Sequence, residues 1–278
     1  MPHRHDDVRR PAVAGMFYPD SPAELASAVD DLLDGAATPG PAHPPPIALI
    51  APHAGYVYSG ATAASAYALL KDVRAETVVV VSPSHREYFE GVSVFPGSAY
   101  ETPLGEIPID AVLREKLLAA SPLVRASRAG HGSEHAIEVH LPFLQKQLGH
   151  FRLLPLVMGD QSRKACFALG EALGNVLAGT PTMLVASTDL SHFHPAPDAE
   201  RRDHIVLEDL AAFDPERLMH DLEEGEAEAC GGGPVVAVMI AARRLGARRM
   251  RVLSHTHSGI ITGERGSVVG YCAAVATA

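Results

Sequence analysis

The chain has only three cysteines, Cys166, Cys230 and Cys272, among its 278 residues. Their number is odd and no two form a CxxC pair, so neither a disulfide framework nor a zinc knuckle is indicated. A basic surplus is also missing. Against 23 Lys and Arg stand 33 Asp and Glu, a net charge of −10 with neutral histidines, so the chain has no electrostatic footprint for nucleic acid or an anionic membrane. Long apolar runs are absent too. The longest, PVVAVMIAA from Pro234, falls far short of the roughly 18 residues a bilayer span needs and reads as a buried helix. The opening MPHRHDDVRRP has no apolar stretch of the kind a secretory signal carries, so a cytoplasmic location and reduced thiols are expected. No internal repeat is visible, and the proline-rich TPGPAHPPP at 38–46 is the one low-complexity segment. It is too rich in proline for a helix or a central strand and reads as an extended surface connection.

Apolar residues make up 47% of the chain, enough for a sizeable core. Ser21, Pro22 and Glu24 precede the periodic set Leu25, Val29, Leu32 and Leu33, the pattern of a capped helix that Gly35 ends. Short β-branched runs then alternate with helical patterns. Strands are predicted near 47–51, 77–82, 91–95, 152–158, 182–187, 250–255 and 267–275. Helices are predicted near 60–71, 109–120, 134–148, 163–178, 199–212 and 233–245. This alternation predicts an α/β fold, with a mostly parallel central sheet covered by helices on both faces.

Three of these strands run directly into polar segments. IALIA meets Pro52 and His53, TVVVVS meets Pro83, Ser84 and His85, and TMLVAS meets Thr188, Asp189, Leu190, Ser191 and His192. In an open α/β sheet, ligands sit in the crevice beyond the carboxyl ends of the strands. Parallel pairing would bring His53, His85, Asp189 and His192 to that edge. A lone histidine after a strand is commonly a plain turn residue, but three such events in one chain point to a site. Gly55 and Gly60 are ordinary turn residues on one reading and allow close ligand approach on another.

Two further segments carry chemistry. In EACGGGPVVAVMIAARRLG, Cys230 precedes three glycines and the helix that opens at Pro234, whose positive end favours a thiolate. The plain alternative is a small buried residue before a flexible cap. Cys166 and Cys272 have apolar surroundings and read as structural. In SEHAIEVHLPFLQKQL, Ile137, Leu141, Leu144 and Leu148 form a helical stripe, and Pro142 should kink the helix or confine its packing. His135 and His140, five apart, cannot share a face in the HExxH manner; the pattern leaves open which of them faces the crevice. His255 and His257 follow another strand and could line the same edge. His3, His5, His43, His150, His194, His204 and His220 read as surface or loop residues.

At these residues the chain resembles the Memo family, whose prokaryotic members are called AmmeMemoRadiSam system protein B. The resemblance rests on RRPAVAGMFYP at 9–19, APHAGYVYSG at 51–60, SPSH at 82–85, EHAIEVHLPFLQ at 134–145, STDLSHF at 187–193 and CGGGP at 230–234. It implies a single domain over 1–278, with 1–46 as an arm and helix packed on the core. The family is similar in fold to class III extradiol dioxygenases of the LigB type, which hold nonhaem Fe(II) by two histidines and a carboxylate.

By motif, His53 and His85 resemble the two histidine ligands, and Cys230 stands where the dioxygenases have a glutamate. His192 resembles their acid/base histidine, with Asp189 beside it. The resemblance implies an Fe or Cu site. A thiolate is softer than a carboxylate, which moves preference toward Cu(I), Zn or another iron chemistry. Three functions follow as expectations: a metal-dependent oxidoreductase on a small molecule, a non-enzymatic module that holds a peptide or phospho-ligand, and metal-free thiol chemistry with Cys230 as nucleophile. Animal members bind phosphotyrosine peptides, and the family's naming implies association with an AMMECR-type protein and a radical SAM protein.

Overall fold

The structure is a computed structural model, and it describes residues 7–36 and 44–278. His3, His5 and His43, and positions 38–43 of the proline-rich connection, lie outside the described residues. The strands are β1 (Val8–Arg9), β2 (Pro46–Ala51), β3 (Thr77–Pro83), β4 (Val92–Val94), β5 (Ala99–Thr102), β6 (Gly105–Pro108), β7 (Val124–Ala126), β8 (Arg152–Met158), β9 (Thr182–Ser187), β10 (His192–His194), β11 (Arg249–His257) and β12 (Val268–Thr277). The α-helices are α1 (Pro22–Gly35), α2 (Tyr56–Tyr67), α3 (Ala111–Ala120), α4 (Leu141–Leu148), α5 (Arg163–Leu177), α6 (Ala196–Ala212), α7 (Pro215–Glu223), α8 (Gly232–Arg244) and α9 (Ser258–Thr262).

The main sheet runs β10-β12-β2-β9-β3-β8-β4-β7, with β11 also paired to β12. Its centre is parallel: β2 on β9, β9 on β3 and β3 on β8. Antiparallel pairs flank that centre, β12 on β2 and β4 on β8, so the complete sheet is mixed. The α/β class and the parallel core agree with the sequence pattern. A small second sheet joins β1, β5 and β6.

Strand alternation sends successive side chains to opposite faces, and here each face has its own core. Ala48, Ile50, Val79, Val81, Leu154 and Leu156 pack with residues of α3, α5, α6, α7 and α8. Leu49, Ala51, Val78, Val80, Leu153 and Val157 pack on the other side with residues of α1, α2 and α4. Full burial on both faces explains why β2, β3, β8 and β9 read as continuous apolar runs rather than alternating ones.

Two local expectations are corrected. Ser21 does sit at the N-cap of α1, but its side chain makes no capping bond, and its carbonyl accepts from Leu25 N–H. The predicted helix over 134–148 is a 3₁₀ turn at Glu138–His140 followed by α4. Pro142 therefore falls in the first turn of α4, where its missing N–H would be unpaired anyway, and no kink is needed.

Candidate metal centre

Parallel register levels the carboxyl ends of the central strands. Ala51 pairs with Ser187, and Pro83 with Met158. His53, His85 and Asp189 each stand two residues beyond a strand end, so one sheet edge receives all three. His53 is buried, and its ring lies 4.9 Å from that of His85, centroid to centroid. His135, carried by the loop before the 3₁₀ turn, completes a cluster: its ring is 5.5 Å from His53 and stacks on His85 at 5.1 Å. One ligating nitrogen from each of His53, His85 and His135 lies within 4.8 Å of the others, a group that could hold a metal ion.

That geometry answers which histidine of SEHAIEVH joins the cluster. His135 does. His140 is buried behind it, with Nε2 2.8 Å from Ser187 Oγ. Phe17 of the amino-terminal motif packs on the His135 ring at 4.8 Å and forms one wall.

Cys230, in the turn before α8, approaches one member of that cluster, whereas the group that could hold a metal ion consists of the three histidines. Its Sγ lies 3.2 Å from His53 Nε2. Its N–H bonds the carbonyl of Asp189 at 3.2 Å, and its sulfur accepts from Asp189 N–H at 3.3 Å. Glycine makes this approach possible: a Cβ on Gly231 would sit 2.1 Å from the Ser187 carbonyl oxygen. The thiol itself is not ionised by the helix start. Burial pushes it up first, and the Asp189 carboxylate adds to the rise, so the positive end of α8 is outweighed.

The remaining electrostatics favour neutral ligands. Burial, and then the neighbouring rings of His85 and His135, hold His53 well below the usual imidazole range. Burial brings His135 down to about 4, against the pull of Glu134. Burial alone would raise Glu134, but hydrogen bonds from His85 bring it to about 2. Its carboxylate receives His85 N–H at 2.6 Å and lies 3.0 Å from His85 Nδ1. Such carboxylate–imidazole pairs orient metal-ligating histidines. Asp189 is raised by burial to about 7, and its Oδ1 accepts the His53 backbone N–H at 2.8 Å.

His192 opens β10 near the cluster, close enough to add to the repulsion that keeps His53 neutral. Its Nδ1 lies 2.7 Å from the Leu190 carbonyl and its N–H bonds Glu228. The histidines of β11 are engaged elsewhere: His255 Nε2 lies 3.0 Å from Asp203, and His257 Nε2 lies 3.3 Å from Glu200. Glu134 and Ser187 escaped the sequence reading. A carboxylate adjacent to a crevice histidine was the available signal for Glu134; for Ser187, only its place as the last residue of a buried strand.

A profile of the Memo-like protein family matches residues 9–275, nearly the whole chain. This chain belongs to the Memo family. A MEMO1 family protein of Methanothermobacter thermautotrophicus is 37% identical over 274 residues, covering 95% of this chain and 98% of its own. One from Ignicoccus hospitalis is 37% identical over 279 residues, covering 96% and 97%. Among solved structures, an uncharacterized protein of Escherichia coli K12 superposes with a TM-score of 0.58 at 20% identity, covering 82% of this chain and 98% of its own. At that identity the likeness concerns the fold alone. Among the described residues, no helix of this Memo-family chain is long and apolar enough to cross a membrane.

Proposed function

We propose that the crevice holds a transition metal ion and that the protein is a metal-dependent oxidoreductase acting on a small molecule. The observation that carries this reading is convergence: imidazoles from three sequence-distant segments meet within 4.8 Å, with the Cys230 thiol 3.2 Å from one of them. His53, His85 and Cys230 are the proposed ligands, and His135 is a further nitrogen donor beside them. The set fits a metal. Neutral imidazole and thiolate are donors for Fe(II), Cu or Zn, and His53 and His135 are held neutral by burial.

When bound, such an ion supplies Lewis acidity and, for Fe(II) or Cu, redox capacity. The chain's own residues would supply the rest. The Leu190 carbonyl can only accept, so His192 carries its proton on Nδ1 and keeps Nε2 free to take one from a substrate. Asp189 braces the backbone of His53 and the loop of Cys230. Metal content of protein purified without a histidine tag tests the reading. Alanine at His53, His85 and Cys230 together should abolish it, and unchanged content would refute the site. Oxygen consumption across a panel of catechols with Fe(II)-loaded protein, lost in His192→Ala, tests the reaction class.

A second reading, a peptide or phospho-ligand module, is favoured by a different observation. Met16, Tyr58, Tyr88 and Phe193 are exposed, and each lies within a few residues of a crevice segment. A phosphate would meet the neutral imidazoles of His53 and His135 and the ionised Glu134, which disfavours an anion in the metal-free crevice. Calorimetric titration with phosphopeptides separates the two readings. A joint modification pathway with AMMECR-type and radical SAM proteins belongs to the first reading, and its support is the family membership.

A further inference from the structure

Ser187 is completely buried at the end of β9, directly behind the cluster. Its Oγ has three polar neighbours: the Ala136 carbonyl at 2.6 Å, His53 Nδ1 at 2.7 Å and His140 Nε2 at 2.8 Å. A serine hydroxyl has one hydrogen and two lone pairs. The carbonyl can only accept, so that hydrogen goes to Ala136. Both imidazoles must then donate to the oxygen. His53 consequently carries its proton on Nδ1 and presents a bare Nε2, the nitrogen that lies 3.2 Å from Cys230 Sγ.

The same count fixes His140. With Nε2 protonated, its Nδ1 is the bare nitrogen, and that atom is buried without a hydrogen-bond partner. Burial holds His140 at about 3, consistent with one proton on the ring. A second buried imidazole locked in this way saturates the serine oxygen. No lone pair of Ser187 is then left to accept from any other donor, and the hydroxyl cannot rotate toward His53 without abandoning Ala136.

We propose that Ser187, saturated by His140, is the positioning residue that fixes His53 in the Nδ1-protonated tautomer and thereby makes Nε2 the ligating atom. The role of that atom as a ligand rests on the metal reading above; the tautomer does not. An imidazole free to change tautomer would present a lone pair at Nε2 only part of the time, and would lose the partner that orients its ring. Glu134 occupies the corresponding place behind His85, through its 3.0 Å contact to Nδ1. The two ligands thus have different supports, a neutral hydroxyl for His53 and a carboxylate for His85.

Two measurements test this on the full chain. The first is long-range proton–nitrogen NMR of the histidine rings in metal-free protein. Wild type should show His53 with a pyrrole-like Nδ1 and a pyridine-like Nε2; Ser187→Ala should give a tautomer mixture, and Ser187→Thr, which keeps the hydroxyl, should restore the wild-type pattern. The second is Co(II) titration followed by visible absorption and by competition with a chromophoric chelator. Ser187→Ala should weaken binding by about 10- to 100-fold and alter the Co(II) bands.

His140→Gln, which retains one N–H donor toward Ser187, serves as a second variant should Ser187→Ala fold poorly, and it should keep the His53 tautomer. A wild-type tautomer in folded Ser187→Ala overturns the proposal. So does an Nε2-protonated His53 in the wild type. If wild type binds no Co(II) yet shows the expected tautomer shift on substitution, the metal reading fails and the positioning role of Ser187 stands.

Discussion

The Cys230 sulfur lies 3.2 Å from His53 Nε2, although 177 residues separate them in the chain. Burial and Asp189 keep that thiol protonated in the metal-free protein, and a coordinating thiol gives up its proton. Binding of Zn(II) near pH 7 should therefore release about one proton per site from Cys230. Titration in two buffers of different ionisation enthalpy measures the number. The Cys230→Ser variant should release about one proton fewer, and equal release would place the thiol outside the metal's reach.

The approach of Cys230 depends on Gly231. Its backbone φ is ordinary, so the requirement is purely steric: a Cβ would lie 2.1 Å from the Ser187 carbonyl oxygen and 2.9 Å from Thr188 Cβ. Backbone cannot swing aside as the tip of a long side chain can. Gly231→Ala should cost about 1–3 kcal/mol by overpacking and move the thiol off the cluster. Urea denaturation together with Co(II) affinity checks both effects; a variant of wild-type affinity would show that the loop accommodates the methyl.

Much of this arrangement is legible in the sequence. Strand ends followed at once by His53, His85 and Asp189 gave away the sheet edge, because parallel pairing levels those ends. The antiparallel flanks are not legible, since β12 has the same apolar character as the parallel strands, and direction leaves little mark on composition. The short strands β5, β6 and β7 lack the run length that periodicity needs. His135 against His140 was undecidable by spacing, because a 3₁₀ turn breaks the helical phase between them. The thiolate that the helix start suggests for Cys230 does not form in the metal-free protein, because a helix start contributes a local, partial charge whereas burial acts on the whole thiolate.

Glu138 anchors the amino-terminal motif to the centre. Its buried carboxylate pairs with Arg9, accepts Ala12 N–H at 2.7 Å and Val13 N–H at 3.0 Å, and takes the Tyr18 hydroxyl. Removal leaves the Arg9 guanidinium and two backbone donors buried with fewer partners. Glu138→Ala should cost about 3–5 kcal/mol, and Glu138→Gln less, because the amide oxygen still accepts. Phe17 lies inside this motif and packs on His135, so Glu138→Ala should also broaden the His135 ring signals in NMR. Loss of stability with an unchanged His135 environment would separate the anchor from the site.

His131 provides a clean pH test, because its contacts fix its protonation. Ser93 Oγ donates to the Ala129 carbonyl and so accepts from His131 Nε2 at 3.1 Å, which leaves Nδ1 to accept from the Tyr100 hydroxyl at 2.5 Å. A second ring proton on Nδ1 would reverse this bond and take away the acceptor of the Tyr100 hydroxyl hydrogen. Burial accordingly brings His131 down to about 3, with Arg9 and Arg128 opposing the charge as well. The unfolded chain takes up this proton near pH 6.5. The stabilising contribution is therefore complete above pH 6.5 and is lost as pH falls toward 3, by about 1.4 kcal/mol per pH unit. The buried His53, His135 and His140 act in the same direction, so the difference between wild type and His131→Gln isolates one proton. Wild type should be the more stable at pH 7, and its margin should shrink by about 1.4 kcal/mol for each unit below 6.5. Urea unfolding at pH 7, 6 and 5 measures the margin, and a pH-independent margin would mean that His131 takes up its proton at the same pH in the folded and the unfolded chain.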